Sequence, residues 1–296
     1  MNSRQWIART AIATCAILCL NFAVAILLDP YGLFRDPRGR QLRIAFAGRK
    51  AKYLLSKRYV PVNYDGLLIG PSSSENWDPA GIPGITMYNE SILGSNVFEE
   101  KKIVDQALPS GHFKLALVIL YPTMTSNHAM NDGLDAVTTA EALGSIHLYI
   151  HEIAAILSYL RLPAGRLSEP DGTTPLKLVP QSFFLTQYDA SYFGLDPVAV
   201  DSYTQMVREL TSHGTRVVYV IPPLYQPCLS LNQAAFDDYK RTMEQTLPRA
   251  PILDLNGPEF ANFRNDSGNY VDCFHVNAEG AAKISTYLSG QIPGAK

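Results

Sequence analysis

The chain has 296 residues, of which 47% are hydrophobic and 18% charged, with a formal net charge of −2. That length and composition suit one large domain, or two modest ones, with a substantial apolar core. The near-neutral balance supplies no general attraction to nucleic acid, and no nucleic-acid partner is expected.

At the amino terminus, Arg4 and Arg9 precede an apolar run from Ala11 to Leu28 that only Thr14 and Asn21 interrupt. A helix of about 18 such residues just crosses the hydrocarbon layer of a bilayer. Apolar on all faces and amino-terminal, the run reads as an uncleaved signal anchor, with residues 11–28 crossing the inner membrane once. Ala23-Val24-Ala25 also fits a small-x-small cleavage site, so a cleaved signal peptide is the alternative. The run continues through Ile26-Leu27-Leu28, which favours the anchor. Arg35, Arg38, Arg40, Arg43, Arg49, Lys50 and Lys52 follow closely. The positive-inside rule would hold that stretch in the cytoplasm. A basic start before an apolar segment is, however, a secretory signal, and basic residues also lie against anionic lipid. The expected organisation is an anchor at 1–30, a basic juxtamembrane connector at 31–60, and an exported domain at 61–296. That domain would face the periplasm or the exterior and carry an insertion at about 130–195.

The rest of the chain alternates strands and helices. Leu67 to Gly70 predicts a buried strand, stopped by Gly70-Pro71 and followed by Ser72-Ser73-Ser74. A second strand is expected at Ile85 to Tyr88 and a helix at Val97 to Leu108. Leu115 to Tyr121 is continuously apolar, as in a strand buried on both faces. Val137 to Leu160 has helical spacing of Leu143, Ile146, Ile150, Ile153 and Leu160, and Pro163 to Tyr192 reads as an irregular excursion, a lid or partner-binding insertion. Helices at Pro197 to His213 and Asn232 to Leu247 flank a strand at Arg216 to Ile221. A short strand at Ile252 to Leu255 and a last helix at Ala278 to Leu288, capped by Asn277, complete the pattern. The fold class is therefore α/β: a mostly parallel sheet flanked by helices, behind a transmembrane helix.

Small polar residues at the carboxyl end of a parallel strand sit where open α/β sheets build their sites. A serine hydroxyl there needs a base, and the base needs a carboxylate to orient it. Asp272-Cys273-Phe274-His275 supplies both, three residues apart, just before the last helix. Trp77, just past the serines, is a candidate platform for a sugar ring, with ordinary packing as the alternative. His147 and His151 are four apart on a predicted helix, but no third ligand is evident, so no metal or cofactor is expected. Cys15 and Cys19 lie in the apolar segment. Cys228 and Cys273 lie in the predicted exported part, where they could pair; two buried free thiols are the alternative.

The order Gly70-Pro71-Ser72, Gly94-Ser95-Asn96 and Asp272-x-x-His275 before a terminal helix resembles the SGNH (GDSL-like) hydrolase superfamily. The likeness runs from about Gly66 to Leu288, outside the insertion. It is closest to membrane-anchored members tied to polysaccharide O-acetylation and to D-alanyl transfer. The resemblance implies a flavodoxin-like sandwich with Ser72 as nucleophile, His275 as base and Asp272 as its orienter. It also implies an oxyanion hole from Ser72 and Gly94. The family's usual asparagine donor is missing, since that strand end reads Leu120-Tyr121-Pro122-Thr123; Asn96 and Thr123 are the candidates to replace it. The implied activity is ester hydrolysis or O-acyl transfer on an acylated glycan, with a membrane-embedded acyltransferase as partner. The alternative is a catalytically degenerate glycan-binding or assembly module.

Overall fold

The structure, a computed structural model, describes residues 3–38, 48–126, 149–150, 153–154, 156–157, 160–162, 168–175 and 190–292. The apolar run forms one helix, α1 (Ser3–Leu28), long and apolar enough to cross a membrane. Its buried positions, Asn21 and Ala25, lie in its last turns. Beyond it, the Asp29 carboxylate accepts hydrogen bonds from the backbone N–H groups of Leu33, Phe34 and Arg35, at 2.7, 3.2 and 3.0 Å. These bonds fold the connector's first residues into a compact turn.

Five parallel strands form one sheet in the order β2-β1-β3-β4-β5. They are β1 (Gly66–Ile69), β2 (Met87–Asn89), β3 (Leu115–Ile119), β4 (Arg216–Ile221) and β5 (Ile252–Asp254). This is the flavodoxin-like order, in which the chain reverses its winding direction at β1 and β3 and leaves a crevice at their carboxyl ends. The central strands are apolar throughout because both faces are covered: every residue of β1 and β3 is buried. Helices α4 (Val97–Ala107) and α6 (Pro197–Ser212) pack against one another, and Tyr203 of α6 donates its hydroxyl to the Ile119 carbonyl. The last helix, α10 (Ala278–Gln291), is capped by Asn277, whose side chain accepts from Gly280 N at 2.9 Å. Its Leu288 lines a small cavity together with Leu68 and Leu117, which are register partners on β1 and β3. The last helix therefore returns over the middle of the sheet.

One expectation changes. The basic connector does not end at residue 60 as a separate segment. Helices α2 (Arg49–Leu55) and α3 (Tyr59–Asn63) bury Ala51, Leu54, Leu55, Tyr59 and Val60 in the main core. The fold thus begins before residue 61, because apolar residues spaced between the basic ones give these helices a buried face. The predicted helix at Val137 to Leu160, with His147 and His151, lies largely outside the described residues. Residues 168–175 of the insertion pack beside β2, where Asp171 O accepts from Asn89 N at 2.6 Å and Ser168 and Thr174 are buried.

Lys52 is wholly buried, and its ammonium donates to Asn89 O at 2.7 Å, Ser91 O at 2.6 Å and Gly172 O at 3.1 Å. A buried ammonium persists only where its donors are satisfied. Here it ties α2, the β2–α4 loop and the insertion together. Beside it, Ser56 Oγ donates to Glu90 at 2.7 Å. Burial pushes the Glu90 carboxyl up to about 7, against the pull of the Lys52 charge and the Ser56 hydrogen bond. A carboxyl raised in the folded state contributes stability below its unfolded pKa and loses it as the pH rises through the folded value. The melting temperature should therefore fall between about pH 5 and about pH 8, and fall less in Glu90→Gln. Melting curves of both proteins across that range check this; identical pH slopes would contradict it.

Candidate active site

Ser72, His275 and Asp272 meet at the carboxyl edge of the sheet. Ser72 opens a one-turn 3-10 helix, Ser72–Ser74, directly after β1. A side chain at Gly70 would collide with Ile119 and Ser74, so only glycine lets the chain turn this tightly against β3. Ser72 Oγ lies 2.8 Å from His275 Nε2. On the other side of the ring, Nδ1 lies 2.8 Å from Asp272 Oδ2 and 3.0 Å from Oδ1. An ionised carboxylate only accepts, so Nδ1 carries the proton and Nε2 presents its lone pair to the serine hydroxyl. Asp272 Oδ1 also accepts from the N–H groups of Phe274 and His275, both at 2.7 Å. Burial pushes the Asp272 carboxyl upward, but the His275 ring and these two N–H groups outweigh it and hold the carboxyl below its ordinary value. Asp272 therefore stays charged while orienting the ring.

The other two serines are excluded as nucleophiles by position. Ser73 is 2% exposed, and Ser74 is fully buried with its hydroxyl bonded to Pro71 O at 3.1 Å and Ser91 Oγ at 2.7 Å. The β2–α4 loop runs alongside this turn: Pro71 and Ile92 form a parallel bridge, and Ile92 N donates to Gly70 O at 3.0 Å. Gly94, two residues on, has a φ of +64°, a conformation that favours glycine. Arg49 holds this loop through Nη2 to Gly94 O at 2.6 Å and is itself paired to Glu99 at 2.7 Å. Among the described residues, neither the Ser72 N–H nor the Gly94 N–H has a hydrogen-bond acceptor. The two N–H groups belong to segments joined by the Pro71–Ile92 bridge.

Two sequence candidates take other posts. Asn96 is fully buried as the N-cap of α4, where its side chain accepts from Glu99 N at 3.1 Å in a capping box. A side chain used in this way and shielded from solvent is not presented to the site. Trp77 is 1% exposed and lines a small cavity with Leu68, Ile82, Leu117 and Leu288. It is a core residue and not a sugar platform, because its indole is enclosed in the apolar core and closed off from solvent. Thr123 is half-buried at the start of α5 (Pro122–Ser126), and its hydroxyl has no protein partner among the described residues. Tyr121, just past β3, is buried and pushed upward by that burial and by the Asp272 charge, so it stays protonated. Its ring meets Tyr192 at 6.2 Å, and Tyr192 meets Phe274, the neighbour of His275, at 5.1 Å.

Asn89 is a residue that motif reading missed. Its Nδ2 donates to Ser74 O at 2.9 Å, Glu75 O at 3.3 Å and Trp77 O at 2.9 Å, while its Oδ1 accepts from Ser91 N at 2.9 Å. One carboxamide therefore clamps the serine turn to the Gly94 loop, and Lys52 grips the same loop from behind. The only hint in the sequence was a polar residue ending an otherwise apolar strand. Cys228 and Cys273 are disulfide-bonded, with Cα atoms 5.9 Å apart and 45 residues between them in sequence. Cys228 lies in α7 (Gln226–Leu229), so the bond ties the Asp272–His275 loop to the end of β4. Tyr225 N adds a hydrogen bond to Cys273 O at 3.3 Å.

No protein-family model matches this chain, and no curated protein matches it. Among solved structures, it is similar to a protein of Streptococcus pneumonia provisionally described as a platelet activating factor. That likeness spans 82% of this chain and 89% of the other, at 11% identity and a TM-score of 0.43. A likeness of this degree carries no argument about the site.

Two variants test how the site is held. Asn89→Ala leaves three buried carbonyls without their donor and should cost roughly 2–4 kcal/mol in a denaturant titration. Removing the disulfide with Cys228→Ala and Cys273→Ala should cost about 4 kcal/mol by the loop-entropy estimate. A loss under about 1 kcal/mol in either case would contradict the corresponding role.

Proposed function

We propose that this chain is a membrane-anchored serine acyl-ester hydrolase or O-acyltransferase of the SGNH type, acting on an acylated cell-surface or exported polysaccharide. The observation that carries the reading is the unbroken hydrogen-bond chain from Ser72 Oγ through the His275 ring to Asp272. Ser72 Oγ attacks the acyl carbonyl while His275 Nε2 takes its proton. The Ser72 and Gly94 N–H groups stabilise the oxyanion, which collapses as His275 returns the proton to the departing sugar hydroxyl. The acyl group is then carried on Ser72. Water as acceptor makes the protein an esterase; a second sugar hydroxyl makes it a transferase. For transfer, a membrane-embedded acyltransferase is the proposed donor partner.

The domain is proposed to lie outside the inner membrane, on a single-pass anchor at α1. The Cys228–Cys273 disulfide supports an oxidising compartment. The basic residues after the anchor speak less strongly for the cytoplasm once Lys52 is found buried and Arg49 paired with Glu99. One observation favours the alternative of a catalytically silent glycan-binding module: the strand end Leu120-Tyr121-Pro122-Thr123 carries no asparagine.

Turnover of a chromogenic acetyl ester by the full-length protein in detergent separates the two readings. The enzyme reading predicts measurable hydrolysis that falls by about a thousandfold or more in Ser72→Ala. Equal rates in the wild-type protein and Ser72→Ala would contradict it.

A further inference from the structure

The connector behind the anchor is fastened to one end of the sheet. Leu33 O accepts from Arg58 Nη1 at 2.8 Å, and Pro37 O accepts from Asn63 Nδ2 at 3.2 Å. Gly32 sits against Tyr59, which a side chain at this glycine would meet at 3.3 Å. Arg58, Tyr59 and Asn63 belong to α3 and its cap, and only two residues separate α3 from Gly66, the first residue of β1. These contacts therefore lie at the amino edge of the parallel sheet. Ser72 follows the opposite end of β1, so the height of the sheet, about 15–20 Å, separates the anchor's attachment from the nucleophile.

The amino edge also has the chemistry of a membrane interface. Phe34 and Val62 are 39% and 45% exposed beside the anchor's exit. Arg35, Arg38 and Arg58 are exposed around them, and Lys114 and Arg216 are exposed at the starts of β3 and β4. Asp36 and Asp65 are paired to Arg38 and Lys114, Asp105 and Glu209 at the ends of α4 and α6 both pair with Lys101, and Glu169 is exposed next to Pro170, which accepts from Tyr59 and Tyr64. Exposed apolar side chains ringed by arginine and lysine suit the boundary between acyl chains and anionic headgroups.

We infer that the protein rests with the amino edge of its sheet against anionic lipid headgroups, so that Ser72 opens toward water and away from the bilayer. This rests on reading α1 as a membrane anchor. It sharpens the substrate class: the acyl ester that reaches Ser72 is carried on a water-borne polymer or presented above the surface by a protein. An ester buried among the lipid tails lies on the wrong side of the domain.

The test uses the full chain with Cys15→Ala and Cys19→Ala, the two free cysteines, and with the disulfide retained. A fluorophore goes on either His112→Cys, at the amino edge before β3, or Leu231→Cys, 58% exposed beyond the carboxyl end of β4. Each protein is reconstituted into vesicles of phosphatidylcholine and phosphatidylglycerol carrying a headgroup-attached nitroxide quencher. The expected result is flotation with the vesicles and several-fold stronger quenching of the His112 probe. Flotation with equal quenching, or stronger quenching at Leu231, overturns the orientation and leaves the anchor standing. Failure to float overturns both, while the acetyl-ester assay still decides the chemistry at Ser72.

Discussion

A 2.8 Å hydrogen bond joins Ser72 to His275 across 203 positions of sequence, and much of the fold serves to keep it. The two residues come from opposite ends of the domain. They meet because β1 lies at the switch point of a 2-1-3-4-5 sheet and the last helix folds back over β1 and β3. The burial of Ala281, Ile284 and Leu288 in the same core as Leu68 and Leu117 is thus part of the site's construction. It holds α10 in place, and the cap Asn277 of that helix follows His275 by two residues.

Each half of that bond has its own brace. On the histidine side, Asp272 orients the ring and caps its own loop, and the disulfide ties Cys273 to the end of β4. On the serine side, the Asn89 carboxamide gathers three carbonyls of the turn that follows Ser72, while Lys52 gathers two carbonyls of the loop that leads to Gly94. Burying an ammonium and several carboxyl groups behind the serine turn is costly in free energy. The return is a serine turn and a Gly94 loop held against one another through the Pro71–Ile92 bridge and the Asn89 carboxamide.

The site was readable in the sequence where chemistry and position coincided. Ser72 follows an apolar strand, and Asp272 and His275 precede a capped helix, so their residue types and places pointed the same way. The choice among Ser72, Ser73 and Ser74 rested on a motif alignment; burial supplies the physical reason, since two of the three hydroxyls face inward. Asn96 and Trp77 misled because residue type says nothing about direction: a capping asparagine and a core tryptophan have the same composition signal as a donor and a platform. The connector misled because its basic residues mask an apolar stripe, Ala51-Leu54-Leu55, that belongs to the core. Asn89 and Lys52 act through backbone carbonyls, and such partners leave no side-chain pattern to read.

Whether Ser72 is an activated nucleophile can be asked without knowing the glycan, the acyl group or the acceptor. A fluorophosphonate reacts with a serine whose proton is drawn off by a base, losing fluoride and leaving a phosphonyl group on Oγ. Peptide mass spectrometry of the treated full-length protein locates that group. The account predicts one adduct, on Ser72, abolished in His275→Ala while the fold is retained. A folded protein that stays unmodified at Ser72, or is modified equally without His275, would contradict it.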